Sequence, residues 1–140
     1  MSSYIVDASV AIKWVVTETD TAAALKLLHH RLFAPALFRA ECANILWKKV
    51  RRSQLTPHAA SIAAQLLDGS GVESVPIEPD LYPVFELSRI IDYPAYDCVY
   101  LAAAMAQSMP LITADASLAA KVSQSANLKS KVTVLQLDTF

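Results

Sequence analysis

Glycine is nearly absent: the 140 residues hold two, Gly69 and Gly71. A loop that cradles phosphate needs several glycines close together, so P-loop and dinucleotide-binding readings are excluded. Cysteine is equally scarce. Cys42 and Cys98 are not at metal-motif spacing, and nothing nearby in sequence would lower a thiol pKa. They read as reduced, structural thiols of an intracellular chain. Charge is sparse too, at 18% against about 25% in typical domains. The net charge of −1 offers no global basic field to attract a polyanion. Local basic groups or bound cations would have to do that. The first residues lack a charged n-region and a long apolar h-region, so they do not read as a secretory signal. No apolar run approaches the ~20 residues of a membrane span. The expectation is a cytoplasmic protein.

What is plentiful is apolar surface. Hydrophobic residues make up 54% of the chain. A chain of this length reads as one domain, residues 1–140, able to remove about two-thirds of its surface from water. The surplus suggests burial against a second copy or a protein partner.

Strand-like and helix-like segments alternate. Tyr4 to Val6, Leu32 to Ala34, Val72 to Ile77, Leu111 to Thr113 and Val132 to Leu135 read as strands. Helices are expected after Thr19 or Asp20, from Ala36 to Arg52, from the Thr56-Pro57 cap to Asp68, from Asp80 to Ile91, from Asp97 to before Pro110, and from Ala116 to Ser125. This order implies an α/β fold with a central, mostly parallel sheet covered on both faces.

Four acids fall at matched places in that pattern. Asp7 ends the first strand, Glu41 interrupts the apolar run Ala36 to Trp47, Asp97 opens an Ala-rich segment, and Asp115 follows Leu111 to Ala114. Ligands of open α/β sheets bind beyond the carboxyl ends of the strands. Carboxylates gathered there repel: at about 4 Å and an effective dielectric of ~20, each pair costs roughly 4 kcal/mol. Either some hold protons or a cation holds them together. Oxygen ligands select a hard ion such as Mg²⁺ or Mn²⁺.

The bland alternative is that Asp7, Asp97 and Asp115 merely cap helices. Glu41 resists that explanation, since an unpaired Glu in an apolar helix is expensive to bury and Arg39, two residues away, faces elsewhere. Ser9 and Thr113, each two residues from an acid, are candidate donors that fix a metal ligand. Asn44 shares a helical face with Glu41. Lys48, Lys49, Arg51 and Arg52 suit either a helix dipole or a phosphate-binding edge. His29, His30 and His58 read as surface residues. Trp14, Trp47, Tyr93, Tyr96 and Tyr100 read as core or interface.

The local words carry more. Ile5-Val6-Asp7-Ala8-Ser9 resembles the opening of PIN-domain ribonucleases. Ala34-Pro35-Ala36-Leu37, leading to Glu41 and Asn44, is similar to the strand-proline-helix that carries their second acid. Tyr96-Asp97-Cys98-Val99-Tyr100-Leu101-Ala102 and Leu111-Ile112-Thr113-Ala114-Asp115 are similar to their third and fourth. The resemblance spans essentially the whole chain, and within the family it is nearest to the VapC-type toxins of toxin–antitoxin modules. It implies a three-layer α/β/α sandwich and metal-dependent cleavage of RNA. Asp7, Glu41, Asp97 and Asp115 would be both metal ligands and catalytic acids, supported by Ser9, Asn44 and Thr113. It implies a cognate antitoxin, and with the apolar composition a homodimer. One departure stands out. Some members place a further acid soon after the fourth, where this chain has Ala116, Ala119 and Ala120. A second metal ion would then be held weakly or only with substrate.

Competing readings remain. A HAD-type phosphatase needs a second Asp two residues after the first, where Ser9 stands, and a receiver domain needs an adjacent acidic pair that Asp7 lacks. A housekeeping RNA-processing nuclease and a non-enzymatic binding module both stay open.

Overall fold

A computed structural model describes residues 2–140. Among them, five strands form one parallel sheet: β1 (Ser3–Val6), β2 (Arg31–Ala34), β3 (Glu73–Ser74), β4 (Leu111–Thr113) and β5 (Val134–Gln136), in the order β3-β2-β1-β4-β5. The register sets Ile5 beside Phe33 on one side and Leu111 on the other. Ile5, Val6, Leu111 and Ile112 are fully buried. Each is covered on both faces of the sheet, which is why these strands read as continuous apolar runs and not as alternating ones. Burial of such side chains is worth about 1.5–3 kcal/mol apiece. The strands that carry Asp7 and Asp115 therefore lie in the firmest part of the core.

Eight α-helices cover the sheet among the described residues: α1 (Ala8–Val15), α2 (Thr21–Lys26), α3 (Leu37–Arg51), α4 (Pro57–Asp68), α5 (Leu81–Ile91), α6 (Ala95–Gln107), α7 (Ala116–Gln124) and α8 (Ala126–Lys129). Right-handed crossovers put α1–α4 on one face and α5–α8 on the other. The packing agrees: α1 meets α2, α3 and α4, while α5 packs on α6 and α7 on α8. The result is the three-layer α/β/α sandwich that the resemblance implied, with the parallel sheet that the alternation implied. On α3, Phe38, Cys42 and Leu46 form a buried stripe at four-residue spacing, and Trp47 on the other side is 54% exposed. On α6, Leu101, Ala102, Ala103 and Ala104 are buried, and the small alanines let the helix sit close against β1 and β4. No helix among the described residues is long and apolar enough to cross a membrane.

Several boundaries differ from the sequence reading. The strand expected over Val72 to Ile77 shortens to Glu73–Ser74. Val75 still gives its N–H to the Ala34 carbonyl at 3.1 Å, but Pro76 has no N–H to continue the ladder. The last strand moves to Val134–Gln136, because Val132 bonds back to Leu128 at the end of the unforeseen α8. Helix α2 starts at Thr21, and Asp20 precedes it in a left-handed conformation with no capping bond. Asp97 does not open its helix. Pro94 occupies the cap position, and Asp97 lies inside the first turn. His30 is half-buried, its ring edge-on to Tyr4 at 5.3 Å, whereas His29 and His58 are exposed as expected.

Candidate active site

The chain adds β2 and β3 on one side of β1, then returns to place β4 on the other. The order of strands reverses between β1 and β4, and such switch points leave a crevice at the carboxyl ends. Asp7 leaves β1 there as the N-cap of α1, and Asp115 follows β4 as the N-cap of α7. Capping and a role in the crevice are thus compatible for both. Asp97 enters from α6 and Glu41 from the second turn of α3. A pocket of about 240 Å³ is lined by Asp7, Ala8, Ser9, Glu41, Asn44, Ile45, Lys48, Asp97 and Asp115.

Hydrogen bonds tie the two strand ends together. Asp7 Oδ1 accepts from the Ser9 hydroxyl at 2.5 Å and from the Val10 N–H at 3.2 Å. Asp7 Oδ2 accepts from the Thr113 hydroxyl at 2.5 Å, and Thr113 Oγ1 in turn accepts from the Asp115 N–H at 3.0 Å. Ser9 Oγ accepts from the Ala114 N–H at 3.3 Å. Asp115 Oδ1 takes the N–H groups of Ser117 and Leu118 at 3.0 and 3.3 Å, and Oδ2 takes the Tyr93 hydroxyl at 2.6 Å. Glu41 Oε1 takes the Tyr100 hydroxyl at 2.5 Å.

A carboxylate has about four lone-pair sites, two on each oxygen. Asp7 Oδ1 and Asp115 Oδ1 are each filled by two donors. One site remains on Oδ2 of each. Glu41 keeps both sites on Oε2. Asp97 lines the pocket and receives no side-chain hydrogen bond among the described residues.

The electrostatics match this crowding. Burial, with a further push from Glu41, raises Asp7 to about 6 against the pull of its hydrogen bonds. Burial and then the charges of Glu41, Asp115 and Asp7 raise Asp97 to about 6. Burial first, and then the neighbouring acids, pushes the Cys42 thiol to about 12 and the Cys98 thiol to about 11. Both thiols stay protonated and are poor nucleophiles. Burial and the bond to Asp115 raise Tyr93 to about 12, and Tyr100 also rises through burial and its bond to Glu41. Both phenols therefore remain donors.

Among the described residues, no three His, Cys, Asp or Glu side chains are already drawn around one point. The acids line the walls of the pocket and do not meet at its centre. The donor set nonetheless fits a hard divalent ion: it is all oxygen, it has free lone pairs on every carboxylate, and its mutual repulsion is what a cation would relieve. A second groove, of about 530 Å³ and lined by residues of α5, α6 and α8, also contains acids. Two of them are engaged elsewhere, Glu78 on the Ala36 N–H and Glu86 on Arg89.

The basic cluster divides. Lys48 lines the pocket. Lys49 pairs with Glu18 at 2.9 Å, Arg51 stacks 5.4 Å from the Trp47 ring centre, and Arg52 is the C-cap residue of α3. Of the aromatic residues, Tyr93 and Tyr100 are hydrogen-bonded to the pocket's acids, a role the sequence reading missed. Trp14 instead bonds the Ala24 carbonyl at 2.8 Å, and Trp47 and Tyr96 are exposed. The signal for Tyr100 was its position three residues after Asp97, on the same face of one helix.

A family model described as "PIN domain" matches residues 4–123. No curated protein matches the chain by sequence. Among solved structures, PAE2754 from Pyrobaculum aerophilum superposes with a TM-score of 0.75 at 25% identity, covering 99% of this chain and 91% of that one.

Proposed function

The chain belongs to the PIN-domain family, whose members are generally nucleases that use divalent metal ions, and from that premise we propose that it is a Mg²⁺- or Mn²⁺-dependent ribonuclease, the toxin of a toxin–antitoxin module. The observation that carries the reading is the convergence of Asp7, Glu41, Asp97 and Asp115 on one pocket at the switch point, with two of them pushed up to about 6. Residues 1–140 act as one nuclease unit. The four acids hold the metal and are the catalytic set. When bound, the metal would activate a water and stabilise the leaving oxygen of a phosphodiester. Ser9 and Thr113 hold Asp7 in place, so that its one spare lone pair faces the pocket. Asn44 stands on the rim beside Glu41 to meet the substrate.

Lys48 is the phosphate contact. Lys49, Arg51 and Arg52 contribute at longer range. Lys48→Gln should weaken RNA binding about equally across sequences and reduce the salt slope by about one charge. The Lys49→Gln change should do less, because Lys49 already neutralises Glu18. An unchanged slope in Lys48→Gln would return it to the solvated face of α3.

Exposed apolar side chains support partners. Leu81, Tyr82 and Phe85 project from α5, and Trp47, Ile62 and Leu66 from α3 and α4. One such surface serves a homodimer and another an antitoxin that lays an amphipathic segment on it. The purified chain should cleave RNA with Mg²⁺ or Mn²⁺ and stop when the ion is chelated. Co-expression with the product of a small neighbouring gene should relieve growth inhibition and yield a complex, and light scattering should give a dimer for the chain alone. No cleavage with either ion removes the nuclease reading. Cleavage with no complex and unrelieved growth inhibition replaces the toxin with an RNA-processing enzyme.

A further inference from the structure

We propose that Tyr93 and Tyr100 are positioning residues, each aiming one carboxylate of the pocket at its cation. The inference rests on the metal-site reading above. Two phenols from different segments both spend their hydroxyls on these acids. Tyr100, on α6, is 1% exposed and reaches across to Glu41 Oε1 on α3. Among the described residues this is the one hydrogen bond that the Glu41 carboxylate receives. Glu41 reaches the pocket on three rotatable bonds, and without the phenol nothing else would fix its orientation. The bond takes one oxygen and leaves Oε2 free.

Tyr93 does the same for Asp115 from the turn between α5 and α6. Its own backbone is pinned there. Ser88 Oγ donates to the Tyr93 carbonyl at 2.5 Å, and the Tyr93 N–H returns to the Ser88 carbonyl at 3.2 Å. Two backbone donors already fill Asp115 Oδ1. The single spare lone pair lies on Oδ2, the oxygen that Tyr93 holds. Each tyrosine therefore governs an oxygen that decides how its acid can bind. Helix α6 and the turn before it deliver Asp97 directly and the other two acids at second hand.

Outer partners of this kind typically contribute 10–100-fold to metal affinity. Tyr100→Phe and Tyr93→Phe keep the ring and remove the hydroxyl. Mn²⁺ titrated calorimetrically into RNA-free protein should bind about 10-fold more weakly to each variant. In a Glu41→Ala background, Tyr100→Phe should no longer change Mn²⁺ affinity, because its acceptor is gone. A purely structural tyrosine would instead lower the melting temperature and leave affinity alone. Affinities within twofold of the parent in both single variants overturn the proposal. If Tyr100→Phe does not fold, Tyr93→Phe, at a half-buried position, decides by the same criterion. A parent chain that binds no Mn²⁺ and cleaves no RNA overturns the metal-site reading and this proposal together. A parent that binds, with variants that bind equally, removes only the positioning role.

Discussion

Asp7→Asn should abolish divalent-ion-dependent RNA cleavage while leaving a folded protein that, without metal, melts at a higher temperature than the parent. The loss of activity should exceed the 10–100-fold typical of removing an outer-shell partner, since Asp7 would be a ligand itself. The gain in stability follows from burial. Asp7 is 5% exposed and its carboxyl is raised from 3.8 to about 6. At 1.36 kcal/mol per pKa unit, its charge costs roughly 3 kcal/mol at neutral pH. Asn removes that charge, and it caps helices about as well as Asp, so α1 keeps its start. Some of the gain is returned, because an amide cannot accept from Ser9, Val10 and Thr113 all at once. A net gain of ~1–2 kcal/mol would raise the melting temperature by about 5 °C. Asp97→Asn should lose activity likewise, with a smaller stability gain, because its carboxylate is partly in water. Full activity in either variant would sink the site assignment, and a melting temperature lowered by Asp7→Asn would mean that its hydrogen bonds outweigh its buried charge.

Without metal, the parent chain should be more stable near pH 5 than near pH 8, and a divalent ion should offset that preference. Asp7 and Asp97 both titrate at about 6 in the folded chain against 3.8 unfolded. A raised carboxyl means that the folded state binds the proton more tightly. The stability these groups contribute is fully present below about pH 3.8 and is lost as pH rises through about 6. Ion binding acts in the opposite direction, since ligands must be deprotonated. At a hundredfold excess over Kd the ion adds about 2.7 kcal/mol, and this gain should fade below about pH 5 as protons compete. Melting curves across this range, with Mn²⁺ and with a chelator, check both halves. A chelated protein that grows steadily more stable from about pH 5 to pH 8 would contradict the electrostatics described for Asp7 and Asp97.

How far the sequence disclosed the fold depended on where each segment sits. β1, β2 and β4 were legible to within a residue because central strands buried on both faces leave unbroken apolar runs. The Thr56-Pro57 cap was legible because it is local chemistry, and Thr56 Oγ1 does accept the Ala59 N–H. β3 was overread, since Val75 is buried without being part of a strand. The start of α6 was misplaced because Pro94, with no capping bond, does what a polar cap was expected to do. The four acids were visible as isolated charges in apolar surroundings. Their tyrosines were not, because the Tyr100–Glu41 bond spans 59 residues and the Tyr93–Asp115 bond 22. The basic cluster read as four equivalents because nothing near Lys49 announces Glu18, 31 residues away.

The hydrogen bond between Asp7 and Thr113 joins residues 106 apart in the chain, and that separation governs when the pocket can assemble during synthesis. Of the five described strands, β1 is central and is made first, and its neighbour β4 is made fourth. A nascent chain can build α1 to α4 on β1 to β3 while one side of β1 still waits for its partner. Until residues beyond 115 have left the ribosome, Asp7 has neither the Thr113 hydroxyl nor the carboxylates of Asp97 and Asp115 opposite it. A chain halted before that point would present an unpaired strand edge, prone to aggregation, and half of an acidic pocket. The four acids can face one another only after β4 has taken its place beside β1.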